Sequence, residues 1–82
     1  MNLIELTEEI VKSLVNNKDG VSVKEFKTEE ENTILIQVMV EEEDMGRVIG
    51  ANGKTANAIR TLVQASSSLK DHKYVKINID KF

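Results

Sequence analysis

The chain has 82 residues, no cysteine and a formal net charge of −3, which leaves room for one modest core and excludes both a disulfide framework and a thiolate metal site. Its apolar runs, Ile34-Leu35-Ile36 and Val38-Met39-Val40, are far too short to span a bilayer, and the N-terminus lacks the pattern of a signal peptide, so the expected location is cytoplasmic. The acid excess argues against a protein that coats itself in cations to hold nucleic acid, yet residues 1–43 carry a net charge of −7 while 44–60 and 61–82 each carry +2.

From Asn2 to about Asn16 the apolar residues Leu3, Leu6, Ile10 and Leu14, with Ile4, Val11 and Val15, recur at three- and four-residue spacing, which predicts an amphipathic helix. Asn2 stands in N-cap position with Glu5 three residues on, as in a capping box. Asn17-Lys18-Asp19-Gly20 carries the turn chemistry that ends a helix, with Gly20 suited to the left-handed position. Val21 and Val23 open an alternation that Phe26 breaks by one residue, predicting an edge strand with a bend or bulge. The acidic Glu29–Asn32 connection follows.

Ile34, Ile36, Val38 and Val40 then alternate on one face while Leu35 and Met39 put apolar groups on the other, as expected of a central strand. Asp44 is placed to cap a short helix from Met45 to Ile49. A glycine loop comes next, then a longer helix from about Lys54 to Ser67, with Ser66-Ser67-Ser68 read as the loop that ends it. Val75, Ile77 and Ile79 alternate with Lys76, Asn78 and Asp80 in a last strand. The order is helix, strand, strand, helix, helix, strand: an α+β fold whose first two strands pair antiparallel and whose last two run parallel, giving a three-stranded mixed sheet with the helices packed on one face.

The segment from Gly46 to Arg60 concentrates the chemistry. Gly50 and Gly53 lack a Cβ, so both accept positive φ angles and let another backbone approach closely. The helix that starts beyond them offers unpaired N–H groups and a dipole that favour a phosphate. Arg47, Lys54 and Arg60 add cations against the single acid Asp44.

Gly46-Arg47-Val48-Ile49-Gly50, followed by Gly53-Lys54-Thr55 and by Ala58-Ile59-Arg60-Thr61-Leu62-Val63, resembles the signature of the KH domain, whose GxxG loop clamps the backbone of about four nucleotides. More narrowly, the chain is similar over essentially its whole length to the small bacterial single-KH proteins of the KhpA type. The resemblance implies the type II KH fold over residues 1–82 and a non-catalytic single-stranded RNA-binding function without a cofactor. It also implies a role as post-transcriptional regulator or RNA chaperone, and pairing with itself or with a larger KH-containing protein. The implied RNA-binding set is Arg47, Val48, Ile49, Gly50, Ala51, Asn52, Gly53, Lys54 and Thr55. Many KH loops carry a cation between the glycines; this loop has Ala51 and Asn52, so the attraction for phosphate falls to Arg47 and Lys54. Where many KH helices place an isoleucine, three residues after the second glycine, this chain has Ala56.

Other chemistries fail on spacing. A Walker-type loop requires a glycine five residues before Gly53, where Val48 stands, and would leave a strand rather than a helix. His72 is the one histidine and sits between the last helix and strand, with no nucleophile or metal-binding pattern near it. Val48, Ile49 and Ile59 are candidates either for an aliphatic groove for bases or for the core. The long helix has a wider apolar arc than one sheet face requires, and Leu62 is the candidate dimer contact, with ordinary core as the other reading. A protein-interaction and dimerisation module with weak or no RNA binding is the alternative function.

Overall fold

Residues 2–82 are described by the structure, a computed structural model. Helix α1 spans Leu3–Lys12, and extended Asn2 caps it by accepting the Glu5 N–H on Oδ1 at 2.8 Å. The spacing of its apolar positions turns Leu3, Thr7 and Val11 inward; the Thr7 hydroxyl, a polar group on that face, is satisfied by donating to the Leu3 carbonyl at 2.7 Å. The helix stops at Ser13, shorter than its periodicity suggests, and Val15 enters the core from the connection beyond it. Gly20 is not left-handed: it closes a 3₁₀ turn at Lys18–Gly20. A Cβ there would lie 2.7 Å from Glu41 Cγ and 2.9 Å from Asn17 Nδ2, so any larger residue would have to displace those two side chains.

Strand β1, Ser22–Lys27, pairs antiparallel with β2, Thr33–Val40, in an unbroken register from Ser22↔Met39 to Lys27↔Ile34. The expected bulge is therefore absent. Phe26 continues a straight strand on the sheet face opposite Val23, where it pairs with Leu35 and stays 48% exposed. Strand β3, Tyr74–Lys81, runs parallel to β2 on its other side, so β2 is central and β1 and β3 are edges. Between β2 and β3 lie helix α2, Met45–Ile49, and helix α3, Lys54–Lys70.

The core lies between the helices and the alternate residues of β2. Val11, Ile36, Val38, Val40, Val48 and Val63 are wholly buried, each removal of such a side chain from water being worth about 1.5–3 kcal/mol. Helix α3 buries Ala56, Ile59, Val63 and Ser67. It runs past the serines read as a loop; Ser67, fully buried, donates from Oγ to the Lys73 carbonyl at 2.8 Å and ties the last turns to the residue before β3. Gln64, one turn earlier, accepts the Val75 N–H at 2.9 Å and donates to the Lys73 carbonyl at 3.0 Å, while Arg60 Nε reaches the Ile77 carbonyl at 3.4 Å. Side chains from α3 thus occupy part of the free edge of β3, which would otherwise offer unpaired groups to another strand.

The element order, the mixed three-stranded sheet and the helices against one face agree with the α+β, type II KH arrangement expected from the sequence.

Candidate nucleic-acid interface

Three short elements build the glycine loop. Helix α2 is anchored by Val48, which is buried completely, and leaves Arg47 on the exposed side. The chain then turns through Gly50 at φ 76°, ψ 174°, a region that side chains do not enter, and through Asn52 and Gly53 at φ 57° and 74°. Thr55 fills the space beside Gly50: a Cβ on that glycine would meet the Thr55 Cβ at 2.8 Å and its backbone nitrogen at 3.0 Å. Gly53 has nothing within 4 Å of its missing Cβ, so its requirement is conformational alone.

Within the turn, the Gly50 N–H donates to the Gly46 carbonyl at 2.9 Å, the Gly53 N–H to Gly50 at 3.2 Å, and the Lys54 N–H to Ala51. The amides of Ala51 and Asn52, at the tip, take no part in these three bonds. Both residues are exposed, as are Arg47 and Lys54; Ile49, Gly50, Gly53 and Thr55 are half-buried. Of the apolar candidates, Val48 and Ile59 belong to the core, and Ile49 alone keeps an accessible edge beside the loop.

Sequence reasoning reads Asp44 as the cap of α2, and that reading is corrected. Asp44 makes no capping bond and is instead 2% exposed. Its Oδ1 accepts the Asn16 N–H at 3.0 Å and its Oδ2 the Asn17 N–H at 3.2 Å, which joins α2 to the end of the α1 connection. Arg47 Nε stands 3.5 Å from the same carboxylate. Among the described residues Lys54 has no ion-pair partner. Arg60 is held to β3 and to Asn57 Oδ1 at 3.2 Å, away from the tip.

Leu62 is 56% exposed and is not core. Leu69, which sequence reasoning missed, is 81% exposed; its position seven residues after Leu62 was the available signal. With the exposed Ala58 and Ala65 they form a stripe at steps of four, three and four residues on the outer face of α3. His72 is exposed, with φ 56°, and no group of three His, Cys, Asp or Glu among the described residues could hold a metal ion. No helix in the described residues is long and apolar enough to cross a membrane.

Solved structures share this fold. The chain superposes on a variant of Aquifex aeolicus Era bound to GDP and aluminium fluoride with a TM-score of 0.73, at 16% identity over 98% of this chain. It superposes on Era in complex with MgGDPNP and nucleotides 1506–1542 of 16S ribosomal RNA with a TM-score of 0.68, at 17% identity over 96% of this chain. It spans only 30% and 29% of those two chains, so the likeness concerns architecture and not their nucleotide chemistry. Among sequences, RNA-binding protein KhpA of Caldanaerobacter subterraneus is 47% identical and that of Clostridium perfringens 45%, each over 92% of this chain and 96% of the relative. RNA-binding protein KhpA of Borreliella burgdorferi is 40% identical over 95% of this chain and 92% of its own. The family described as KhpA/KhpB, KH domain, matches residues 4–79. With that match and these identities along nearly complete lengths, the chain belongs to the KhpA/KhpB KH-domain family.

Proposed function

We propose that residues 1–82 form one non-catalytic KH domain that holds single-stranded RNA by its phosphate backbone on the loop from Gly50 to Gly53. The observation that carries the reading is the loop itself: two glycines and Asn52 at positive φ turn the chain sharply into the start of a 17-residue helix, with Lys54 exposed at the junction. Backbone can approach backbone there. The donors to phosphate are the tip amides of Ala51 and Asn52 and the opening of α3, since the amides of Gly50, Gly53 and Lys54 bond within the turn. Lys54 and Arg47 supply charge, and Ile49 supplies an apolar edge for an unstacked base. With few side chains able to read base edges near the tip, sequence preference is modest, which suits a cytoplasmic RNA chaperone or post-transcriptional regulator.

The test is binding of a labelled single-stranded RNA pool at low and moderate salt, comparing the wild type with Ala51→Asp/Asn52→Asp. Both positions are exposed, so the variant should fold. Loss of salt-sensitive binding by the folded variant is the expected result. Equal binding by both proteins would move the RNA off the loop and leave partner interaction as the better reading.

A second reading stands beside the first and rests on the stripe of α3. If two copies set these helices antiparallel about a two-fold axis between positions 63 and 64, Ala58 faces Leu69 and Leu62 faces Ala65, large against small at every level. We propose a homodimer of this geometry, with the same face open to a larger KH-containing protein.

A further inference from the structure

We propose that Asp44 is a positioning residue for RNA binding: it holds Arg47 by the inner nitrogen of its guanidinium, so that the two outer nitrogens are presented to a phosphate on the glycine loop. The inference deepens the proposed function and rests on it. Asp44 stands at the N-cap of α2 and Arg47 three residues on, within side-chain reach of one another, while Gly50 closes the same short helix at its C-cap. The carboxylate is fixed before it meets the arginine, since each of its oxygens already accepts a backbone N–H, from Asn16 and from Asn17. A buried carboxylate needs such donors, and the third group that compensates its charge is Arg47 Nε at 3.5 Å. Among the described residues the terminal nitrogens of Arg47 have no acceptor, and the side chain remains 53% exposed. The contact is an ion pair rather than a hydrogen bond. With the Nε side of the guanidinium turned to Asp44, both outer N–H₂ groups stay available for a forked contact with phosphate, and the attraction narrows the rotamers the side chain must give up on binding.

Plain charge counting gives the opposite sign. A carboxylate beside the site repels phosphate, so removing its charge should tighten RNA binding. The positioning role requires that removal to weaken it.

The experiment is a double-mutant cycle of Asp44→Asn and Arg47→Ala, with RNA affinity measured at fixed low salt and folding checked by circular dichroism. Asp44→Asn should weaken binding about three- to tenfold when Arg47 is present and have no further effect when it is alanine. An equal loss in both backgrounds would make Asp44 merely structural, and tighter binding would make it a repulsive charge; either overturns the proposal. If Asp44→Asn does not fold, Asp44→Glu takes its place in the same cycle, keeping the charge while shifting the carboxylate relative to Arg47. A loss of affinity that vanishes in the Arg47→Ala background supports the tether, and an equal loss in both backgrounds, or none, ends it. Ala51→Asp/Asn52→Asp, run alongside, separates the two levels. If that variant still binds, the loop reading has failed; if it loses RNA while the cycle is additive, only the tether has.

Discussion

The first turn of α3 and its last three turns meet solvent through opposite chemistries. The N-terminal end follows two glycines and an asparagine at positive φ and carries the exposed Lys54, with Arg47 exposed on the preceding α2, so whatever docks there meets backbone amides and charge. The outward face from Ala58 to Leu69 offers only methyl and isobutyl groups at the stripe positions, with Leu62 and Leu69 more than half exposed. Contacts of the first kind fade as salt rises because counterions compete for phosphate; contacts of the second kind persist, because removing apolar surface from water hardly depends on ionic strength. One rigid helix therefore joins two surfaces that salt alone should tell apart.

The hardest blow to the loop end is Gly50→Ala. The added Cβ runs into Thr55 while the backbone is held at φ 76°, ψ 174°, and thermal unfolding should show a loss of about 3 kcal/mol. Gly53→Ala, with open space around its missing Cβ, should lose only about 1 kcal/mol. Equal losses at the two glycines would mean that Thr55 does not shape the turn. At the other end, Leu62→Asp should leave monomer stability within about 0.5 kcal/mol, since that side chain is 56% exposed. It should weaken self-association by about 2 kcal/mol in sedimentation at any salt concentration. Unchanged self-association would remove α3 from the interface. The smallest change belongs to Lys54→Ala: about fivefold weaker RNA binding at low salt, with the slope of log affinity against log salt reduced by about 1. An unchanged slope would take Lys54 out of the phosphate contact.

How much of this was legible in the sequence follows the range of the forces involved. Gly50 and Gly53 were legible because their requirement is local to the chain, and the strands of β2 and β3 because alternation reports which face is buried. Asp44 was misread because the capping rule is also local, while its true partners, the amides of Asn16 and Asn17, lie 28 and 27 residues away. The same holds for Gly20, which the turn chemistry made left-handed but which in fact makes room for the Glu41 side chain. Phe26 suggested a bulge since an aromatic residue out of phase is costly if it must be buried; on an uncovered sheet face it costs little, and the strand stays straight. The serine run broke the helical pattern by composition, yet the helix continues through it, with Ser67 buried and its hydroxyl satisfied by the Lys73 carbonyl beyond the helix end. Leu62 remained undecided in the sequence because periodicity shows that a helix has a second apolar face without showing what stands against it.

Gln64 turns the seam between helix and sheet into something that can be watched. The Val75 amide hydrogen is held by a side chain of α3 instead of a neighbouring strand, so it is shielded from solvent deuterium only while the helix rests against the sheet. The amides of β3 that bond to β2 are shielded by the strand ladder itself. Faster exchange at Val75 than at Lys76 or Asn78 would therefore time the lifting of α3 alone, and binding at either end of that helix should slow it.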